Sequence, residues 1–174
     1  MNGSIQVESV PGEGTTFTFQ LPFLLDDTAC SNRKREQTAE TDAAGMKILV
    51  VEDNEINMEI AEFYLTEAGA KTEKAWNGAE AVQKFAESEA GSFDAILMDV
   101  MMPVMDGLEA TRRIRALEHP DAGTVTILAM TAQSSADSIH QCEQAGMNGY
   151  IAKPVEAAEL IKILSEKCPK GCKN

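Results

Sequence analysis

Basic residues are scarce: 15 Lys and Arg stand against 28 Asp and Glu in 174 residues, a formal net charge of -13. A surface that grips a phosphodiester backbone needs a lysine- and arginine-rich stripe, so this balance argues against nucleic-acid binding. Long apolar runs are also missing. None reaches the ~20 residues that cross a bilayer. No segment combines the charged start, apolar middle and small-residue cleavage site of a secretory signal. The expectation is a soluble, cytoplasmic chain with no membrane contact of its own. Cysteine is sparse, at Cys30, Cys142, Cys168 and Cys172. A chain with 44% hydrophobic residues can build an ordinary core and does not need disulfides. Cys168 and Cys172, in CPKGC, lack the further ligands of a tetrahedral zinc site, so free thiols are expected.

What is present divides into three regimes. Over residues 1–25, Ile5 and Val7 alternate with Gln6 and Glu8, and Phe17, Phe19 and Leu21 alternate with Thr16, Thr18 and Gln20. Period-two alternation about the Pro11-Gly12-Glu13-Gly14 breaker predicts a β-hairpin. Such a hairpin is marginal by itself in water. Residues 26–45 are polar and aperiodic and carry Arg33-Lys34-Arg35-Glu36. They read as a flexible linker, because they bury too little to offset the entropy of ordering. Residues 46–168 form the third regime, followed by a tail at 169–174.

In that third regime short apolar runs alternate with helical patterns. Runs over 47–51, 95–98, 125–130 and 149–152, with a weaker one at 71–76, read as strands. Between the first two, Ile56, Ile60 and Phe63 fall at i, i+4 and i+7, the apolar stripe of a helix closed by Gly69. Ala81, Val82 and Phe85 mark a second helix, and Leu108, Thr111 and Ile114 a third. Ala136, Ile139 and Cys142 mark a fourth, capped by Ser134 or Ser135 and closed by Gly146. Leu160, Ile163 and Leu164 mark the last. Strict alternation predicts an α/β fold, a doubly wound parallel sheet with helices on both faces. Continuously apolar strands fit burial on both sides. Ligand chemistry in such sheets gathers at the carboxyl ends of the strands.

The residues at those ends are polar: Glu52 and Asp53, then Asp99, then Thr131, then Lys153. Gathered carboxylates repel one another unless a cation lies between them. Mg²⁺ suits a few carboxylates, waters and a phosphate. Lys153 adds a fixed positive charge, and Thr131 a hydroxyl donor. Phosphoryl transfer asks mainly for positioning and charge neutralisation, and a carboxylate nucleophile yields an acyl phosphate. Any one of these residues could be an ordinary strand-end side chain, and Asp53 a helix cap. The ordered set is hard to attribute to chance.

The stretches KILVVEDNEINMEI, FDAILMDVMMPVMDG, ILAMTA and GYIAKP, in this order, resemble the receiver domain of two-component signalling. The resemblance implies a flavodoxin-like, five-stranded parallel sheet of strand order 2-1-3-4-5. It implies that Asp99 is the phosphoacceptor, with Mg²⁺ held by Glu52, Asp53, Asp99 and the backbone carbonyl of Met101. Thr131 and Lys153 match the family's hydroxyl and lysine, and Thr131 and Tyr150 its switch pair. The Lys153–Pro154 bond is commonly cis in such domains. Met101 and Gln133 stand where the family tunes dephosphorylation. Met98, Met101, Met102 and Met105 surround the acceptor and read as core and loop packing.

The run MNGSIQVESVPGEGTTFTFQLPF resembles the last hairpin of the ATP-binding domain of histidine kinases. Asp53-Asn54 with Asn57 resembles receivers of hybrid kinases. These resemblances imply a parent hybrid histidine kinase, with any membrane anchorage belonging to that parent. The implied partners are a histidine kinase, a histidine phosphotransfer domain or both. The chain alone is expected to gain and lose phosphate on Asp99 without being a kinase. A magnesium-dependent phosphatase is the competing enzyme reading. It wants a second acid two residues past the nucleophile, where this sequence has Met101. A stand-alone switch acting through its surface is the third.

Overall fold

The computed structural model describes residues 3–12, 14–20, 43–132 and 135–168. Two compact units are present, Met1–Thr38 and Ala39–Asn174. The expected linker, Cys30, Gln133, Ser134, Cys172 and the tail fall wholly or largely outside the described residues.

The first unit is the expected hairpin. β1 (Ser4–Val10) pairs antiparallel with β2 (Gly14–Gln20), register Val10↔Gly14. Gly12 takes φ 86° in the turn, a conformation open to glycine at little cost. Ile5 faces Phe19 across the ladder and Val7 faces Phe17. Such apolar cross-strand pairs hold a two-stranded ribbon together, yet these four side chains are 59–66% exposed.

The second unit alternates strand and helix throughout: β3 (Lys47–Val51), α1 (Glu55–Glu67), β4 (Lys71–Ala75), α2 (Gly78–Ala86), β5 (Ala95–Asp99), α3 (Gly107–Ala116), β6 (Thr126–Thr131), α4 (Ala136–Ala145), β7 (Gly149–Ala152) and α5 (Ala157–Lys167). The strands form one parallel sheet in the order β4-β3-β5-β6-β7. Renumbered within this unit, that is 2-1-3-4-5.

Successive residues of a strand point to opposite faces, so each strand feeds two cores. Ile48, Val50, Leu97, Leu128 and Ile151 meet Met58, Ala61 and Leu65 of α1 and Leu160 and Leu164 of α5. Leu49, Val51, Ile96, Met98 and Ile127 meet Phe85 of α2, Ile114 of α3 and Cys142 of α4. Both faces are covered, which explains the unbroken apolar runs. No described helix is long and apolar enough to cross a membrane.

One helical face departs from expectation. Ile56, Ile60 and Phe63 of α1 point outward, 67%, 40% and 61% exposed. The helix instead buries Met58, Ala61 and Leu65. Both sets have helical spacing, so periodicity alone could not choose between them. The packing of α1 against β3 and α5 does. Smaller differences lie at element ends: Trp76 follows β4 rather than ending it, and Asp99 and Thr131 are the last residues of their strands. Ser135 caps α4, and Gly146 closes it at φ 98°. The cap of α1 is Asn54, whose side chain accepts from the backbone N–H groups of Ile56 and Asn57. Asp53 is therefore not spent on capping.

Candidate active site

Because the strands are parallel, β3, β5, β6 and β7 all deliver their last residues to one edge of the sheet. Glu52 follows β3, Asp99 ends β5, Thr131 ends β6, and Lys153 follows Ala152 at the end of β7. Burial is uneven. Glu52, Asp99 and Thr131 are 1%, 5% and 6% exposed, while Asp53 is exposed.

Buried carboxylates are unfavourable unless paired. Lys153 pairs with two of them: its Nζ lies 2.8 Å from Asp99 Oδ2 and 2.5 Å from Glu52 Oε2. The other oxygen of Asp99, Oδ1, accepts from the backbone N–H of Met101 at 3.2 Å. The other oxygen of Glu52, Oε1, accepts from the side-chain amide of Asn57 at 3.1 Å. Burial is the largest influence on the Asp99 carboxyl and raises it above the usual range. Lys153 and the Met101 N–H act against that, and nearby Glu52 adds to it. For Lys153, burial pulls the ammonium down, but the bonds to Asp99 and Glu52 together raise it above the usual lysine value.

Glu52, Asp53 and Asp99 bring carboxylate oxygens within 4.8 Å of one another. One lysine against three carboxylates leaves the site electronegative, and Asp53 makes no hydrogen bond or ion pair among the described residues. An all-oxygen donor set with excess negative charge fits a hard divalent cation such as Mg²⁺.

The loop after β5 is held tightly. Gly107 donates its N–H to the carbonyl of Val100 at 3.1 Å, and a Cβ on Gly107 would lie 2.1 Å from the carbonyl oxygen of Asp99. Gly78, opening α2, donates to the carbonyl of Met105 at 3.1 Å. Between them Val104 adopts φ 69°, an uncommon conformation for a β-branched residue. The methionines divide: Met98 is buried, Met102 and Met105 pack on the core beside it, and Met101 is 80% exposed. Tyr150 lies outward on β7, 38% exposed. The Lys153–Pro154 peptide is cis.

The structure thus gathers Glu52, Asp53, Asp99, Thr131 and Lys153 at one edge, with Met101 in the loop that follows β5. Sequence reasoning missed the contact of Asn57 with Glu52 and the close approach of Gly107 to Asp99. The one signal for either was the polar Asn57 in the first turn of α1.

Residues 48–165 match the response regulator receiver domain family. The chain is 39% identical over 154 residues to the osmosensing histidine protein kinase SLN1 of Saccharomyces cerevisiae, covering 84% of this chain and 12% of that protein. It is 36% identical over 163 residues to histidine kinase 5 of Arabidopsis thaliana, covering 78% of this chain and 17% of the relative. The chain therefore spans a small part of the length of the curated relatives it matches. Among solved structures, the magnesium-coordinated receiver domain of sensor histidine kinase PA1611 from Pseudomonas aeruginosa is similar with TM-score 0.65 and 41% identity, over 72% of this chain and 98% of that one. The Ssk1 receiver domain of Saccharomyces cerevisiae, co-crystallised with the histidine phosphotransfer protein Ypd1, is similar with TM-score 0.64 and 32% identity, over 72% and 90%. A family match over most of the chain, on a fold and strand-end chemistry of the same kind, leads to one assignment: this chain belongs to the response regulator receiver domain family of two-component phosphorelay signalling.

Proposed function

We propose that Asp99 is the phosphoacceptor, that it works with Mg²⁺, and that it exchanges the phosphoryl group with a histidine of a kinase or a histidine phosphotransfer protein. The observation that carries this reading is the sharing of Lys153 between two buried carboxylates beside an unpaired Asp53. Asp99 supplies the attacking oxygen. As the new O–P bond forms, the P–N bond to the donor imidazole breaks. Lys153 is placed to follow the charge from the Asp99 carboxylate onto a phosphoryl oxygen. Thr131 would donate its hydroxyl to a second oxygen and, with Tyr150 turning inward, report the modified state. Glu52, Asp53, Asp99 and the Met101 carbonyl would hold the metal, which when bound neutralises charge on the transferring group. Met101 places no acid where a phosphatase needs one, and this favours a receiver over that alternative.

One exposed surface supports the partner assignment and another the domain assignment. The outward stripe Ile56, Ile60 and Phe63 starts in the first turn of α1, just after the acidic pair, and offers a helix-sized apolar track beside the site. A similar receiver domain, that of Ssk1, was co-crystallised with the histidine phosphotransfer protein Ypd1. The uncovered apolar face of the hairpin suits the end of a larger sheet, so residues 1–25 are assigned to the last hairpin of a kinase ATP-binding domain, 26–45 to a linker and 46–168 to the receiver. The parent would then be a hybrid histidine kinase acting at the cytoplasmic side.

Incubation with Mg²⁺ and acetyl phosphate, followed by intact mass, tests the acceptor. One added phosphoryl group is expected, absent in Asp99→Ala and without Mg²⁺. Labelling that survives Asp99→Ala would sink the assignment. Multiple turnover of generic phosphomonoesters would favour the phosphatase.

A further inference from the structure

Asn57 occupies the third helical position of α1, after cap Asn54 and residues Glu55 and Ile56. A Glu or Gln there commonly reaches back to accept the backbone N–H of the cap. A carboxylate is also favoured by the positive end of the helix. This chain has neither at that position. Asn57 donates instead, through Nδ2 to Glu52 Oε1 at 3.1 Å, and the same oxygen lies 3.4 Å from the backbone N of Asn54. Glu52 thus takes the place that the capping carboxylate normally fills. Helix formation does not explain an asparagine here, whereas its amide donor does.

The consequence lies in how Glu52 is oriented. Its Oε2 faces Lys153 and its Oε1 faces Asn57, so both oxygens are assigned and the carboxylate plane is set. Lys153, in turn, divides its ammonium between Glu52 and Asp99. We infer that Asn57 is a positioning residue of the phosphoryl-transfer site: it orients Glu52, and through Glu52 holds Lys153 ready for the phosphoryl group. This rests on the phosphoacceptor reading of Asp99 and deepens it. Without the Asn57 amide, Oε1 keeps the longer contact to the Asn54 backbone alone. The carboxylate can then rotate, and Lys153 loses a fixed second anchor. Metal ligation by Asp53 and Asp99 does not depend on this bond, whereas the share of Glu52 in the metal set does.

Asn57→Ala and Asn57→Asp separate positioning from mere helix stability. Asp at this position is favoured by the helix end, so a purely structural role predicts that Asn57→Asp is neutral or better than Asn57→Ala. A positioning role predicts the reverse, because a second carboxylate would repel Glu52. The expected result at saturating Mg²⁺ is a phosphorylation rate by acetyl phosphate reduced about tenfold in Asn57→Ala, and at least as much in Asn57→Asp. The Mg²⁺ dissociation constant by calorimetry should rise in Asn57→Ala, because Glu52 belongs to the proposed metal set, while the rate loss persists once Mg²⁺ is saturating. In the metal-free protein, the side-chain amide resonances of Asn57 should move on Glu52→Ala. Unmoved resonances, or wild-type labelling rates in both folded Asn57 variants, would overturn the proposal alone. A wild-type chain that accepts no phosphoryl group would instead sink the acceptor reading, and this inference with it.

Discussion

The ammonium of Lys153 lies 2.8 Å from Oδ2 of Asp99, while Asp99 is 5% exposed. An ion pair this well buried holds charge away from water, so the balance between the partners governs both stability and reactivity. Glu52 takes a second share of the same ammonium. Neutralisation of Asp99 is therefore incomplete, and its carboxylate is left in need of further countercharge.

Asp99→Asn is expected to stabilise the metal-free protein at neutral pH. Burial raises the Asp99 carboxyl above its usual value. The folded state then binds that proton more tightly than the unfolded state. Stability falls as pH rises from the ordinary carboxylate value through the raised folded value, and the penalty is complete above it. The amide removes that penalty, so the change at pH 7 is a gain in stability. Thermal melts in chelator should show a higher midpoint for Asp99→Asn at pH 7 and a gap that narrows toward pH 3. A variant that melts lower at pH 7 would contradict this account.

Lys153 has the opposite signature. Its pKa is raised in the folded state, so its contribution to stability is fully present below the ordinary lysine value and is lost as pH climbs through the folded one. Denaturant titrations at pH 9 and pH 11.5 should show a larger loss of stability in wild type than in Lys153→Met.

Asp53 is exposed and unpaired among the described residues, so its removal disturbs no folded contact. Asp53→Asn should retain the wild-type melting midpoint in chelator, while its Mg²⁺ affinity by calorimetry falls at least about tenfold. Mg²⁺ at about 100 times its dissociation constant should stabilise wild type by ~2.7 kcal/mol. Asp53→Asn should lose most of that gain. Unchanged affinity would remove Asp53 from the ligand set.

The two stripes of α1 should separate in mutagenesis. Leu65→Ala, on the buried stripe, should cost ~2–5 kcal/mol in chemical denaturation. Phe63→Ser, on the outward stripe, should change stability by no more than ~0.5 kcal/mol. It should nevertheless weaken the complex with a histidine phosphotransfer partner in a titration. Equal stability losses at both positions would mean that Phe63 is a core residue.

Gly107→Ala should destabilise by ~1–3 kcal/mol, because its new methyl group meets the Asp99 backbone at 2.1 Å and has nowhere to move. Backbone amide shifts of Val100 and Met101 by NMR should report the displacement. A neutral variant would mean that the loop after β5 can shift freely.

The alternation of strands and helices was legible in the sequence, as were the five polar residues at the strand ends. Both depend on short-range pattern: apolar runs, helical spacing and the identity of the residue that follows a run. Ser135 and Gly146 were legible as helix ends for the same reason, since capping is settled within a few residues. The face of α1 was not, because Ile56-Ile60-Phe63 and Met58-Ala61-Leu65 share one periodicity. The bond from Asn57 to Glu52 was hidden too, because it depends on how a loop turns between a strand end and a helix start.

Chain order alone thus determined that this is a parallel α/β domain with an acidic pair, an aspartate, a threonine and a lysine each at a strand end, since those features need only local patterning and chain direction. Tertiary structure decided that Lys153, 101 residues beyond Glu52, bridges it to Asp99. It also decided that Asp53 is left to solvent and that the apolar stripe of α1 beginning at Ile56 faces outward. Those outcomes follow from the packing of helices on both faces of the sheet and from the sharing of one buried ammonium, and neither is encoded in the spacing of residues along the chain.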